Sequence, residues 1–457
     1  MPAITEGGAY TGESGKTYLA VGPLGQANVW TAVQNDEHGN IVVLKAPSTD
    51  DTGTSWPQFQ HEMIMHELFK DCSYIRRQVD RVAPSENSPP LIVLEIFETT
   101  LWQARTKRPF SKDEVRSVAR SILHGLQEVH DKGMVYVDIK MQNIMINGFD
   151  TSKDGDGSRL EAKLGDLGIV MEPMRGATTQ PIVYRAPEVF FKGELTPAAD
   201  IWAFGLVVSH LLEAKQRFAN TGLYDDLHVG KGSLFEREQA MRSAIANDYD
   251  IDGEEYYKDC ALPVRNPSHD PGQHWDQLRK RGLSEEEVSF LQWVMKVDPR
   301  ERPSAKVILQ SKWLGGEGVV PGTSNGTSSN GFPPASSAIT QDPSKTSTGT
   351  AAPQSTALPE TQIAAMKDWI DQDSSKATNS NGSETADSGK EPSSSAAGSN
   401  GAADGAQRPP AVGARTQDRL AAVMSGKGTP KEPGAESPRP ALVESRSSGG
   451  GTYLSYR

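Results

Sequence analysis

The first hundred residues alternate between short apolar runs and polar turns, a pattern that predicts β-strands. A turn rich in Gly, Asn and Asp separates the second run from the third and is typical of a hairpin. An amphipathic helix over residues 57–70 interrupts the series. The five runs that predict strands are TYLAVG, NVWTAVQ, NIVVLKA, YIRRQVDRV and PLIVLEIF.

Beyond the fifth run, apolar positions recur at helical spacing. The segment after Ser111 has one apolar face, a capping box formed with Glu114, and Gly133 at its end. Three further helices follow this pattern, and the last begins with a capping box of Ser284 and Glu287. The sequence therefore predicts an α+β protein with a small β-rich lobe and a mainly helical lobe.

The periodic apolar pattern ends near Leu314. Residues 315–457 are rich in Ser, Gly, Ala, Pro and Thr, and they bury too little apolar area to offset the entropy of ordering. We therefore predict a disordered low-complexity tail there and a flexible arm over the polar residues 1–16. For the tail segment PETQIAAMKDWIDQ two interpretations stay open, a transient helix or a helix that orders on a docking partner.

The overall charge limits what the chain is expected to bind. Its 457 residues carry 47 Lys and Arg against 59 Asp and Glu, a net charge of −12. Sequence-independent binding to nucleic acid needs a basic face, so we expect none. No apolar run approaches the ~20 residues of a membrane span. The two cysteines and the absence of a secretory signal pattern predict an intracellular protein, cytoplasmic or nuclear.

The segment VYVDIKMQNIMI carries polar residues at a spacing that suits phosphoryl transfer. That reaction needs positioned phosphates, a divalent metal and an oriented hydroxyl group. Asp138 can accept the proton of the attacking hydroxyl, and Lys140 can stabilise the transferred group. Asn143 offers an oxygen ligand for Mg²⁺, and Asp166 in the later segment AKLGDLGIV offers another.

Two residues of the β-rich lobe complete this set. Lys45 ends a predicted strand, from which it can reach the phosphates of ATP, and Glu62 on the following helix can pair with it. Singly, each residue has an ordinary interpretation, since a lone Asp is usually a turn residue and a strand-end Lys is usually solvated. The order of the residues within the predicted elements carries the inference.

Residues 17–314 resemble the eukaryotic protein kinase family, whose further motifs match YRAPEV, AADIWAFG and DPRERPS. The resemblance implies a two-lobed fold with an N-lobe over residues 17–97 and a C-lobe over residues 98–314. It also implies ATP and Mg²⁺ as cofactors and a protein Ser or Thr as acceptor. YRAPEV and the long region after the AADIWAFG helix are most like the group of cyclin-dependent and SR-protein kinases.

The resemblance assigns an ATP-binding role to four further residues. Glu95 and Phe97 fall in the hinge, whose backbone would bind adenine, and Gly22 and Val29 fall in the glycine-rich loop. That loop matches the family pattern only at these two positions, so we expect its backbone to approach phosphates less closely.

Three more residues have implied structural roles. Glu188 would pair with Arg302 as a buried strut, and Asp200 belongs to the AADIWAFG helix. The family's H-R-D triplet reads Tyr136-Val137-Asp138 here. The family's arginine meets a phosphorylated residue of the activation segment, a contact that valine cannot make.

We therefore predict that activity does not depend on phosphorylation of Thr178 or Thr179. Two classes of function stay open: a working Ser/Thr kinase, and a pseudokinase scaffold that acts through protein–protein interaction. The presence of Lys45, Asp138 and Asp166 favours the enzyme.

Overall fold

The computed structural model describes residues 3–48, 55–216, 224 and 233–316. The two interpretations of the tail segment and the predicted disorder lie outside the described residues. Among the described helices, none is long and apolar enough to cross a membrane.

The β-rich lobe is built on one antiparallel sheet and a single long helix. The strands are β1 (Ala9–Thr11), β2 (Thr17–Leu24), β3 (Gln26–Gln34), β4 (Ile41–Lys45), β5 (Gln78–Val82) and β6 (Leu91–Glu95), and the helix is α1 (Ser55–Leu68). In the sheet they follow the order β1-β2-β3-β4-β6-β5. The five strands and the helix predicted from the alternating pattern are all present.

The N-terminal residues belong to this sheet, whereas the sequence predicts a flexible arm over residues 1–16. In β1, Tyr10 lies opposite Tyr18 of β2, and both are buried together with Ile4. The Tyr10 hydroxyl also accepts a hydrogen bond from the backbone N–H of Thr5 at 2.9 Å. Two apolar side chains within a polar run are enough to anchor a short edge strand, so the sheet described here has six strands rather than five.

The second lobe is mainly helical, as its periodicity predicts. Its helices are α2 (Leu101–Ala104), α3 (Lys112–Asp131), α4 (Pro187–Lys192), α5 (Pro197–Gln216), α6 (Leu234–Asp248), α7 (Gln273–Lys280), α8 (Glu285–Val294) and α9 (Ala305–Leu309). Short strands connect them: β7 (Thr99–Thr100), β8 (Ile144–Asn147), β9 (Glu161–Leu164), β10 (Met174–Arg175) and β11 (Glu194–Leu195). Both predicted capping boxes are confirmed, at the starts of α3 and α8.

The core of this lobe forms around α5, whose residues from Ile201 to Val208 are all buried. Helix α3 packs against α5, α9 and strand β9. This packing fixes the β8–β9 hairpin under the sheet of the first lobe. Backbone hydrogen bonds join the two lobes here: Arg76 donates to Leu164 at 2.7 Å, and Leu164 donates to Tyr74 at 2.9 Å.

Candidate active site

Lys45 and Glu62 form a buried ion pair between β4 and α1. The Lys45 Nζ lies 2.7 Å from Glu62 Oε1 and 3.5 Å from Asp166 Oδ1. Burial alone would lower the pKa of Lys45, but the charges of Glu62 and Asp166 raise it above its usual value. Burial would likewise raise the pKa of Glu62, and the Lys45 charge instead lowers it to about 2. Both groups are therefore charged at neutral pH.

Helix α1 is held in place by two kinds of contact. Its residues Phe59 and Met63 pack against Val43 and Leu94 on the underside of the sheet. On the other side, the His61 Nε2 lies 2.6 Å from the carbonyl oxygen of Val170. Together these contacts hold the helix against both lobes, so that Glu62 points at Lys45.

Asp138 lies on the loop that precedes β8, in the second lobe. Its carboxylate accepts hydrogen bonds from Lys140 Nζ at 2.8 Å and Asn143 Nδ2 at 2.7 Å. The side chain is nearly buried, and Asn143 also donates to its backbone carbonyl at 3.1 Å. Three residues predicted to act together thus share one hydrogen-bond cluster.

The backbone just before Asp138 is strained. Val137 has a φ of +73°, a conformation that β-branched residues rarely adopt. The carboxylate of Asp200 on α5 accepts the backbone N–H of Tyr136 at 2.7 Å and that of Val137 at 2.8 Å. His130 lies 2.9 Å from the same carboxylate. Asp200 therefore fixes the loop that presents Asp138.

Asp166 follows β9 and is brought to Asn143 by a close approach of two backbones. The N–H of Gly165 donates to the carbonyl of Asn143 at 2.7 Å. A Cβ at position 165 would lie 2.9 Å from that oxygen, so the approach requires glycine. The Asp166 carboxylate is 44% exposed and accepts the N–H of Gly168 at 3.1 Å.

The residues present fit a hard divalent cation. Asn143 uses its side-chain nitrogen toward Asp138, which leaves its side-chain oxygen for a metal, and Asp166 adds an exposed carboxylate. Among the described residues, no group of three or more His, Cys, Asp or Glu could hold a metal by itself. Such a site would draw its other ligands from phosphate oxygens and water, which is usual for Mg²⁺.

The glycine-rich segment forms a tight hairpin between β2 and β3. Its tip is Gly25, with a φ of +78°, and Leu24 pairs with Gln26 across it. Gly22 has open space on its Cβ side. Val29 pairs with Lys45 in the sheet and is half-buried beside the apolar cluster that contacts α1. Val29 thus lies beside Lys45 in the neighbouring strand, and Gly22 lies one strand further along the sheet.

Glu95 and Phe97 lie where the chain passes from β6 to the second lobe. The Glu95 carboxylate is 2.9 Å from Lys163 Nζ, and the same ammonium lies 5.7 Å from the centre of the Phe97 ring. The Glu95 carbonyl, which the resemblance assigns to adenine, accepts a hydrogen bond from Arg76 Nε at 2.9 Å.

Arg76 was not predicted from the sequence as a site residue. The predicted strand YIRRQVDRV contains two adjacent arginines, Arg76 and Arg77. Since successive side chains of a strand point to opposite faces, one of the two must point inward. The alternation of side chains along the predicted strand was therefore the sequence signal that one of these arginines points inward.

Glu188 and Arg302 form a fully buried, bidentate ion pair. Their two nitrogen–oxygen distances are 2.6 and 2.7 Å, and neither side chain is exposed. Arg302 also donates to the carbonyl of Ala198 at 2.9 Å. The pair links α4, the start of α5 and the chain before α9, away from the site itself.

A second strained residue lies in the segment between Asp166 and α4. Gln180 has a φ of +72° and is buried. Its carbonyl accepts from Arg185 Nη2 at 3.1 Å, and Arg185 also lies 3.1 Å from Glu238 Oε1. No sequence pattern indicated this arrangement, which fixes the backbone next to Thr179.

Comparison with known proteins identifies the family. The family described as protein kinase domain matches residues 20–314, more than half of the chain. Cyclin-dependent kinase F-3 of Oryza sativa subsp. japonica is 26% identical over 49% of this chain and 48% of its own length. Mitogen-activated protein kinase HOG1 of Blumeria graminis is 26% identical over 49% of this chain and 57% of its own length.

A second rice protein, Cyclin-dependent kinase F-4 of the same subspecies, is 24% identical over 65% of this chain and 60% of its own length. The chain thus spans about half to three-fifths of these relatives. The names of the two rice relatives agree with the resemblance to cyclin-dependent kinases, while the resemblance to SR-protein kinases stays a prediction. On the family match and the fold, the chain belongs to the protein kinase family.

Proposed function

We propose that the protein is an ATP-dependent protein Ser/Thr kinase that uses Mg²⁺. The observation that carries the proposal is the position of Lys45, which contacts Glu62 in one lobe and Asp166 in the other. Phosphoryl transfer in protein kinases requires that the lysine–glutamate ion pair and the metal-binding aspartate are in place together. The names of the relatives, among them Serine/threonine-protein kinase 33 of Bos taurus, support the same acceptor class.

Each residue of the site has a defined part in the proposed reaction. Lys45 would bind the phosphates while Glu62 fixes its position. Asp166 and the side-chain oxygen of Asn143 would hold the metal, which supplies positive charge against the phosphate oxygens. Asp138 would orient the acceptor hydroxyl and take its proton, and Lys140 would balance negative charge on the transferred group.

We further propose that this activity needs no phosphorylation of the activation segment. Val137 is buried and carries no charge, so it cannot attract a phosphate. Asp200 already holds the backbone of this loop.

We also propose that the acceptor is a protein inside the cell, in the cytoplasm or the nucleus. The tail segment PETQIAAMKDWIDQ would form a helix on which a partner protein docks, a proposal that rests on sequence alone.

The test is transfer of radiolabelled phosphate from ATP to a Ser/Thr peptide library with and without Mg²⁺. We expect Mg²⁺-dependent transfer by the wild type and none by Asp166→Ala. The Asp166→Ala protein should still melt cooperatively, because this side chain is 44% exposed and belongs to no packed core. Equal transfer by both proteins would refute the metal assignment.

The alternative function is a pseudokinase scaffold, and one observation favours it. Arg76 already donates to the Glu95 carbonyl that would receive adenine. If the wild type neither binds nucleotide in calorimetry nor transfers phosphate to any peptide, the scaffold is the better explanation.

A further inference from the structure

Arg76 extends from the chain between α1 and β5 toward the end of β6. Its backbone is anchored, because its N–H donates to Leu164 at 2.7 Å and the preceding Ile75 is buried. Its side-chain Nε donates to the Glu95 carbonyl at 2.9 Å. The backbone N–H of Glu95 is used separately, by the carbonyl of Arg77 at 3.1 Å.

The charge state of Arg76 follows from its burial and from the acids near it. Burial lowers the pKa of Arg76 to about 10, and the negative charges of Glu95, Glu62 and Asp166 oppose that change. Two of these acids belong to the ion-pair cluster around Lys45. The guanidinium is therefore positively charged at neutral pH, and its contact with the Glu95 carbonyl places it at the hinge.

This position matters for the base of the nucleotide. In the proposed function, the 6-amino group of adenine would donate a hydrogen bond to the Glu95 carbonyl. That oxygen already receives a charge-assisted bond from Arg76, and such bonds are stronger than neutral ones. An amino group at this position would be a hydrogen-bond donor next to another donor, the Arg76 guanidinium. An oxo group at the same position would instead accept a hydrogen bond from the guanidinium.

We infer that Arg76 determines base specificity, reducing the preference for a 6-amino purine nucleotide and admitting a 6-oxo purine nucleotide. The inference rests on the proposed function, since it requires a nucleotide in this cleft. It assigns the side chain a role in selecting the co-substrate, in addition to contacting the hinge.

The test compares ATP with ITP, which has an oxo group at position 6, by calorimetry with Mg²⁺ on the full chain. For the wild type we expect similar dissociation constants for the two nucleotides. For Arg76→Leu we expect ATP to bind about ten-fold more tightly relative to ITP than it does in the wild type, the size of one charged hydrogen bond. ITP also differs at N1, but that difference is common to both proteins and cancels in the ratio.

Two further variants act as controls. Arg77→Leu removes the same charge one residue away, from an exposed side chain, and should leave the ratio at the wild-type value. Arg76→Lys keeps a cationic donor and should give a ratio close to the wild type. A thermal melt shows whether each variant is folded, and Arg76→Met replaces Arg76→Leu if the latter is not.

The outcomes separate the inference from the proposed function. An unchanged ATP-to-ITP ratio in a folded Arg76→Leu protein that binds ATP overturns the inference and leaves the kinase proposal standing. Failure of the wild type and Arg76→Leu to bind either nucleotide overturns both.

Discussion

Val137 and Asp138 show how strain and catalysis meet at neighbouring residues. A valine at a φ of +73° is unfavourable, and such conformations persist only where the surroundings impose them. Here the Asp200 carboxylate binds two consecutive backbone N–H groups. Since Asp138 follows directly, the same contacts that hold the strained backbone also set the direction of the carboxylate that we propose to orient the acceptor hydroxyl.

Replacing Asp138 by Asn tests its assignment as the residue that orients the hydroxyl. The amide keeps the size of the side chain but cannot take a proton, so we expect turnover to fall about a hundred-fold or more. The affinity for Mg²⁺–ATP should change little. Steady-state kinetics and nucleotide titration measure the two effects, and full turnover in the folded variant would contradict the assignment.

Thr178 and Thr179 provide a second test at single residues. Thr178 is exposed and Thr179 is half-buried. Position 137 is a valine, so it offers no positive charge to bind a phosphate on either threonine. Changing both to Ala should leave the rate of peptide phosphorylation within about two-fold of the wild type, because Val137 gains no contact from a phosphate on either threonine. The assay should use protein before and after phosphatase treatment. A large loss of rate in the double variant, or in the wild type after phosphatase treatment, would show that activity depends on phosphorylation.

At the scale of elements, the Glu188–Arg302 pair joins parts of the chain that are far apart in sequence. Both side chains are fully buried, so each charge depends on the other for its solvation. The first turn of α5 is tied to the same arginine through Ala198. Because α5 also carries Asp200, the pair supports the helix that holds the loop before Asp138.

We expect Glu188→Gln or Arg302→Met to lower the free energy of unfolding by about 3–5 kcal/mol, since each leaves a buried charge without its partner. The double variant Glu188→Gln with Arg302→Met should lose less than the sum of the two single changes. Urea denaturation followed by circular dichroism gives the three values. Glu301→Gln, which breaks an exposed pair with Lys296, should change stability by about 1 kcal/mol at most.

Local patterns predicted the elements better than they predicted contacts between elements. The alternation of apolar residues located five strands, and the Ser111/Glu114 spacing located the start of α3, because both signals act within a few residues. Strand β1 was missed since its anchors, Ile4 and Tyr10, lie in an otherwise polar run.

The site shows the same limit. Motif spacing named Lys45, Asp138 and Asp166 as one site, and the structure brings Lys45 to Asp166. The contact of Arg76 with the Glu95 carbonyl joins residues 19 positions apart through a side chain, and the strand alternation that marks one of two arginines as inward-pointing does not specify this partner. The strained backbone at Gln180 depends in the same way on Arg185 and could not be derived from residue types alone.

For the whole molecule, buried ionisable groups set how stability depends on pH. His274 of α7 is buried, with its ring 4.7 Å from that of Tyr249 and 4.2 Å from that of Trp275. Burial lowers the pKa of His274 to about 3 from an ordinary value of 6.5, and the nearby His269 adds to the effect. The folded protein therefore keeps this ring neutral where the unfolded chain would take up a proton.

The sign of the effect follows from that difference. Below pH 6.5 the unfolded state binds one more proton than the folded state, so stability falls as the pH is lowered toward about 3. For one proton the slope is about 1.4 kcal/mol per pH unit. Glu62 adds a similar loss at lower pH, because its pKa is about 2 when folded and 4.5 in its ordinary state.

Replacing His274 by Phe should therefore flatten the stability profile between pH 6.5 and 4.5, where Glu62 does not yet contribute. The aromatic ring keeps the contacts with Tyr249 and Trp275 but binds no proton. Urea denaturation at half-unit steps of pH measures the slope for both proteins. His38→Asn, a change at a histidine whose side chain is 70% exposed, should keep the wild-type slope. Equal slopes for the wild type and His274→Phe would mean that the ring is already protonated in the folded protein, and that another group controls stability in mild acid.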